Sequence, residues 1–566
     1  MDKQEFLNLA KTKMSAWPFK QESLKRHSSL NPSSFLKYRK TYQMTPFPSP
    51  LIFLSSNTPP YRSAAHSPTH MPADQGAFQS SDETLPIEKH LALEQPTAFL
   101  PSMVLGDSSD IVETKEQGFR WEGYLDEEYT EKRHSKPIRN LRYMFFSVYR
   151  RLFGITFAAN MSVFVGLTAT HQANTGKIAY AVISNLFVSI LMRQEHVINI
   201  LFKIFTAWPQ STPLMIRRIS ARISHIGGLH SGCGISGVIW LVLFVAMGTH
   251  EYIHGLSPIS LATVVVSWVI LGLLLVLLVF AYPAMRAKFH DSFDLTHRFL
   301  GWTSVALVWA QIVLFINDNR VPGEKLPHAC KHNVTFWLQS IITLSVILPW
   351  IHLRKVNVRA VTLSKHATRL YFDYTSAYNA TARTGTGTAI RITDSPLKEW
   401  HAFATIREPG RNEFSLIVSR AGDWTSKVID NPPTKLWVRG IPTHGFLRVV
   451  PLFRRMILVA TGSGIGPCAN AIFEDRIPVR LLWASPNARE TFGDEFVDQI
   501  LRYAPDAVLY DTRKHGRPDL VKLTLKMVKE FNAEAVAVIS NQPLTEKLVY
   551  GLNSRGIPAY GAIFDS

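Results

Sequence analysis

Cysteine is scarce in this chain, with three residues in 566. Cys233, Cys330 and Cys468 offer no feasible pair for a disulfide and no zinc-site spacing. Charge is also thin, at 18% of residues, and acidic side chains are the rarer sign: 43 Asp and Glu against 61 Lys and Arg, a formal net charge of +18. The excess lies mostly beside apolar runs, so it gives no reason to invoke nucleic acid. There is no internal repeat. No apolar run of membrane length occurs before about residue 145, so a cleavable N-terminal signal peptide is not expected. Residues 1–110 lack sustained helical or strand periodicity, and Ser, Pro and Thr crowd 27–85. This segment reads as a disordered cytosolic tail without the clean amphipathic arginine pattern of a transit peptide. Residues 111–143, acidic and then basic, read as a cytosolic lead-in.

Long apolar runs are what the chain does have. Six are long enough to span a bilayer, which takes ~20 residues each. They are Phe145–Thr168, Ile178–Phe202, Ile226–Gly248, Ile259–Tyr282, Thr296–Ile316 and Val334–Leu353, within a domain expected at 144–354. Basic residues cluster before the first run (Arg139, Arg142, Arg150, Arg151), between the second and third (Lys203, Arg217, Arg218, Arg222) and after the sixth (Arg354, Lys355, Arg359). The positive-inside rule then predicts a multi-pass membrane protein in a lipid bilayer, with both termini cytoplasmic.

After the sixth run the pattern changes. Short alternating strands at 356–363, 369–373, 388–392, 403–407, 413–420 and 434–438 predict a small antiparallel β-barrel over 355–452. Strands at 456–460, 479–484, 507–510 and 535–539, with helical stretches at 495–503, 520–531 and 545–552, predict a doubly wound parallel α/β domain over 453–566. The expected architecture is therefore a multi-domain membrane protein: a six-helix transmembrane bundle, a β-barrel and an α/β nucleotide-binding domain.

The apolar run Ile457–Ala460 ends in Thr461-Gly462-Ser463-Gly464-Ile465-Gly466-Pro467, and a helical segment follows. A strand feeding a helix through such a turn aims free backbone N–H groups and a positive dipole end at one point, which suits a pyrophosphate. On its own, a tight turn in an unliganded sheet would look the same.

The order of barrel and then glycine turn resembles the ferredoxin–NADP reductase superfamily. With six spans in front, it resembles the ferric reductase and NADPH oxidase membrane flavoproteins. The likeness covers about residues 145–566. It implies that Gly462, Gly464, Gly466 and Pro467 bind a nicotinamide nucleotide. Glu399-Trp400-His401-Ala402-Phe403-Ala404 resembles the family's flavin motif, which places His401 and Phe403 against FAD, with Ala404 where a hydroxyl is expected. Arg420-Ala421-Gly422-Asp423-Trp424-Thr425 resembles the segment that meets the FAD diphosphate, giving Arg420 and Thr425 that role. The glycine segment expected next is degraded to Gly440-Ile441-Pro442-Thr443-His444-Gly445. Arg513, Lys514 and Arg517 resemble a 2′-phosphate site, favouring NADPH over NADH, and Ser485 and Arg489 occupy a second such position. Ser540-Asn541-Gln542-Pro543 replaces the Cys-Gly-Pro of the superfamily. The ending Gly556–Ser566 resembles that of fungal TmpA-like integral membrane proteins, and a similar ending occurs in some fungal nonribosomal-peptide-synthetase-like reductases. Phe564 would cover the flavin or fill a final strand.

The resemblance implies a membrane flavoprotein oxidoreductase that passes electrons from NADPH through FAD to an acceptor the sequence does not name. A non-enzymatic signalling or scaffold protein on a decayed fold is the alternative. The family's four heme histidines are only half present: His230 and His297 remain, while Leu243, Phe244, Ala310 and Gln311 stand at the partner positions. Gly227, Gly234 and Gly237 share the face of His230, and Gly301 and Ser304 that of His297. Such faces leave room for one heme b, and they equally serve close helix packing.

Overall fold

The computed structural model describes residues 121–374 and 384–562, apart from the side chains of Ala287, His290 and Asp291. The expectations for residues 1–110 and for Phe564 lie outside the described residues. Contacts divide the chain after Asp107, and every described residue belongs to the second unit.

The first half is helical: α1 (Val148–Ala169), α2 (Thr175–Leu191), α3 (Glu195–Phe205), α4 (Leu214–Ser220), α5 (Gly227–His254), α6 (Leu261–Ala281), α7 (His290–Asn319) and α8 (Val334–Ile351). Among the described residues, five stretches are long and apolar enough to cross a membrane, and a sixth only if α2 and α3 count as one span. They are not one straight span, because they are bent by 70°. The cause is local. Gln194 takes an extended backbone, and its side-chain oxygen caps a new helix by accepting the N–H groups of His196 (2.6 Å) and Val197 (3.1 Å). The polar run Arg193-Gln194-Glu195-His196 thus ends one helix and starts another. Helix α3 leaves the bundle and lays Phe202, with Ile198 and Leu201, on the core of the α/β region.

The second half holds three sheets. Strands β1 (Arg354–Asn357), β2 (Arg359–Thr362), β3 (Ala367–Asp373), β4 (Thr388–Thr393), β5 (His401–Ala404), β6 (Ile406–Arg407), β7 (Glu413–Ser419) and β8 (Lys435–His444) form two antiparallel sheets. Their orders are β1-β8-β4-β5 and β2-β3-β7-β6, and they enclose a shared core of Leu370, Phe372, Ile390, Phe414 and Val438. Helix α9 (Asp423–Asp430) buries Trp424 and Val428 in that core.

Strands β9 (Met456–Thr461), β10 (Val479–Ser485), β11 (Val508–Asp511), β12 (Ala535–Ile539) and β13 (Ala559–Gly561) form a parallel sheet in the order β11-β10-β9-β12-β13. Helices α10 (Ile465–Glu474), α11 (Asp494–Tyr503), α12 (Leu520–Phe531) and α13 (Gln542–Asn553) accompany it. Residues 457–460 are fully buried, as a parallel strand covered on both faces requires.

Two connections lock the halves together. Arg217 of α4, 2% exposed, makes a bidentate pair with Glu534 (2.7 and 3.0 Å) and donates to Leu452 O. Glu195 accepts from Arg391 (2.5 Å) and from Ile441 N (3.0 Å), while Asn199 donates to Pro442 O (2.9 Å) and accepts from His444 N (2.7 Å).

Candidate functional site

Strand β9 stands at the centre of the parallel sheet. The chain winds from it to β10 and β11 on one side, then crosses to β12 and β13 on the other. The carboxyl ends of β9 and β12 therefore open at the switch point, where ligands bind in open α/β sheets. Thr461 and Ser540, the last residues of the two strand ends, hydrogen-bond through their hydroxyls at 2.6 Å. The glycine turn begins there. A Cβ built on Gly464 would run into the carbonyl oxygen of Ile539, so only glycine allows this approach. Gly462 has φ +50°, and a Cβ there would meet nothing within 4 Å. Its carbonyl is pinned by Trp483 Nε1 at 3.0 Å. Helix α10 starts at the turn, with Gly466 beside Ile417 of β7 and Pro467 in the first turn, where its missing N–H costs nothing. The four residues Gly462, Gly464, Gly466 and Pro467 are thus brought together, with the helix N-terminus behind an open backbone turn.

The neighbouring strand ends carry the rest of the rim. Ser485 closes β10, 2% exposed, and its hydroxyl has no hydrogen-bond partner among the described residues. Asp511 closes β11. Burial alone would raise its pKa, yet the N–H groups of Arg513, Asn487 and Lys514 hold the carboxyl below its usual value. Its Oδ1 accepts from Asn487 N at 3.2 Å and Arg513 N at 2.8 Å, so it ties two loops together. Arg513, Lys514 and Arg517 are exposed beyond it. The Arg513 guanidinium stands 3.6 Å from Glu490. Arg489 is occupied by Asp494 and Asp498, and its hydrogen bond to Asp498, foremost, raises its pKa. These residues fit a phosphorylated nucleotide: an open turn, a buried unpaired hydroxyl and exposed cations share one edge.

The residues expected around FAD come together differently. His401 and Phe403 lie on one face of β5, and the ring of His401 stacks on Trp424 at 4.2 Å and 24°. Phe403 is 6.0 Å from the same indole. No third ring can enter between His401 and Trp424 at that spacing. Arg420 points away, paired with Asp430 and donating to Lys365 O. Thr425 caps its own helix, accepting the N–H groups of Ala421 and Gly422 at 2.9 Å each. Gly440–Gly445, the degraded glycine segment, carries the contacts to Glu195 and Asn199 described above.

His230 and His297 face each other on α5 and α7, ring centroids 6.3 Å apart. His230 Nδ1 lies 3.0 Å from Ser189 Oγ, and His297 Nδ1 is buried without a hydrogen-bond partner among the described residues. A Cβ on Gly301 would meet nothing within 4 Å. On the α5 side, Cβ atoms built on Gly234 and Gly237 would lie 3.4 and 3.3 Å from Ser189 and Asn185 of α2. That glycine face is taken up by helix packing, and it offers a porphyrin no cradle. Among the described residues no group of three or more His, Cys, Asp or Glu is placed to hold a metal.

Several partners escaped the sequence reading. Trp121 and Tyr124 of the lead-in pack on Tyr510 of β11, and Trp121 lies 4.8 Å from the ring of His515. Tyr124 is buried in the core. The lead-in thus covers the edge strand beside Arg513–Arg517. Two aromatics in an otherwise acidic stretch were the available signal. Asp511, a strand-ending Asp before a turn, was another.

Comparison with known proteins follows this geometry. Residues 446–566 match the family model for the C-terminal domain of adenylate-forming reductase 03009. Two curated relatives from Coprinopsis cinerea are similar over most of the chain. Adenylate-forming reductase 03009 is 55% identical over 459 residues, 81% of this chain and 44% of the relative. Adenylate-forming reductase 06235 is 54% identical over 460 residues, with the same coverage of 81% and 44%. The chain therefore spans less than half the length of either. Among solved structures, a ferredoxin NADP+ reductase from Neisseria gonorrhoeae with bound FAD and NADP is 10% identical, with a TM-score of 0.31, over 38% of this chain and 99% of that one. A ferredoxin-NADP+ reductase from Plasmodium falciparum with 2′P-AMP is 11% identical, with a TM-score of 0.30, over 37% and 95%.

The relatives correct the sequence reading. TmpA-like and ferric-reductase-like membrane flavoproteins are not what matches; both relatives and the family model carry the name adenylate-forming reductase. The electron conduit implied by that resemblance is withdrawn with it. The motifs behind it were short glycine turns shared widely among nucleotide-binding sheets, whereas the histidine relay particular to that branch is half missing. The names contain no membrane term either, so the transmembrane reading rests only on helix length and composition.

Proposed function

We propose that this chain is a nicotinamide-nucleotide-dependent reductase unit of the kind named with adenylate formation in its relatives. The observation that carries the proposal is the turn at the switch point: Gly462 open, Gly464 pressed on Ile539, and α10 beginning behind them. The amides of Gly462–Gly466 and the helix end would hold the pyrophosphate. Ser485, Lys514 and Arg517, at the ends of β10 and β11, support NADPH over NADH. A bound nicotinamide supplies a hydride. FAD has a place only on the outer side of the His401–Trp424 stack, with Phe403 beside it. The reduction would consume what an adenylate-forming step delivers. The long apolar helices support seating in a lipid bilayer with both termini cytoplasmic, where the sheets meet the soluble nucleotide pool.

The test is nucleotide titration of the purified full chain in detergent. NADPH is expected to bind at least ~10-fold more tightly than NADH, ~1.4 kcal/mol. Lys514→Ala together with Arg517→Ala should narrow that margin. Equal affinity for both nucleotides, or no binding, rejects the reading.

A further inference from the structure

The half of the helical bundle away from the sheets contains a cavity that nucleotide chemistry leaves unused. It measures about 100 Å³, and α2, α5, α6, α7 and α8 surround it. Its deep walls are Ile183, Leu241, Phe244, Ile270 and Ile312, each less than a tenth exposed. Gln311 of α7 is set among them, 8% exposed. Its Oε1 and Nε2 are both buried and have no hydrogen-bond partner among the described residues. An amide left unpaired in apolar surroundings costs a few kcal/mol, roughly 1–3 per buried group. Buried polar groups are kept where something pairs with them. Nothing on the wall does so here. The polar groups nearer the mouth are already used: Asn333 Oδ1 accepts from both the N–H and the hydroxyl of Thr335, at 2.9 and 2.7 Å.

We infer that this cavity binds a small uncharged aromatic molecule of one ring that carries a hydroxyl, with the hydroxyl paired to Gln311. Three features define that class. A dry protein cavity of about 150 Å³ lined by Leu, Ile and Phe holds benzene, so a space of this size admits one ring and little more. No Lys, Arg, His, Asp or Glu lines it, so an ion would be buried without a counter-charge. A hydroxyl both donates and accepts, so it can satisfy the carbonyl oxygen and the amino group of one carboxamide, whereas a ketone or ester answers only the amino group. Water is a poorer occupant. It needs two to four polar partners, and the deep wall supplies one residue. This assignment is independent of the nucleotide site.

Fluorine NMR on the purified full chain in detergent, with para-fluorophenol as probe and para-fluorotoluene as its hydroxyl-free match, tests the proposal. The fluorophenol signal should saturate and be displaced by phenol. Gln311→Leu, which keeps the side-chain volume, should weaken fluorophenol ~10-fold and leave fluorotoluene unchanged or tighter. Val308→Phe, on the cavity wall, should abolish both. Non-saturable fluorophenol signal in the wild type, which means partition into detergent only, overturns the proposal. So does equal fluorophenol affinity in Gln311→Leu. The wild-type saturation experiment needs no variant, so misfolding of either variant leaves the proposal exposed to refutation.

Discussion

Gly462→Ala separates the glycine turn's structural task from its binding task. Gly462 sits at φ +50° with nothing within 4 Å of an added Cβ. The methyl group therefore clashes with no part of the protein. Its cost is that of a left-handed L-residue, about 1–2 kcal/mol. Residues 354–562 hold all three sheets, and for a unit of that size each kcal/mol lowers Tm by roughly 2–4 °C. A fall of roughly 2–8 °C is expected. The same methyl projects into the space a pyrophosphate must enter to reach the backbone amides. NADPH affinity should therefore drop about 10- to 100-fold, ~1.4–2.8 kcal/mol. Gly464→Ala is the contrast: its methyl meets Ile539 O, so it should cost the fold itself. The assay is calorimetric NADPH titration beside thermal unfolding of each variant. A Gly462→Ala protein with lowered Tm and NADPH affinity within about two-fold of wild type, on the same scale, would show the turn to be structural only.

Arg217→Met breaks the bidentate pair with Glu534. The expected loss is about 3 kcal/mol, the low end for a broken buried pair, because Glu534 is 19% exposed and keeps Arg454 N–H at 2.8 Å. Arg217, foremost, holds the Glu534 carboxyl below its ordinary value of 4.5, so the pair's stability is complete above that pH and is lost as pH falls. Wild type should lose Tm toward pH 4 faster than Arg217→Met; parallel Tm curves would refute the assignment. Asn199→Leu leaves Pro442 O and His444 N unpaired at the α3–β8 junction, a loss of about 2 kcal/mol. Amide exchange at His444 and along α3 should quicken, and unchanged protection there would sink the idea.

The parallel strands were legible in the sequence to within a residue or two. Each is a short apolar run bounded by turn residues, and a strand covered on both faces can hardly look otherwise. The glycine turn was legible for the same local reason: its chemistry lies in consecutive residues. What the sequence concealed depends on partners far away along the chain. Arg217 looked like a topological charge, and its partner Glu534 lies 317 residues on. His401 and Phe403 looked like a flavin wall, and the indole they stack on belongs to α9. Gln311 looked like a missing histidine; only the fold shows the cavity around it.

The break between α2 and α3 explains two puzzles of the sequence at once. The run 178–202 read as one span because Arg193-Gln194-Glu195-His196 is brief and both flanks are apolar. The segment 440–445 read as a flavin motif in decay. In the structure Glu195 and Asn199, freed from the bundle by the Gln194 cap, bind the backbone of that segment. A helix buried wholly in lipid would have no use for this carboxylate and amide, and a glycine loop wrapped around a diphosphate would have no N–H to spare for them. The polar stripe and the altered glycine segment are therefore the two faces of one interdomain contact. Restoring a glycine-rich loop at 440–445 would not recreate a flavin site; it would strip α3 of its partner.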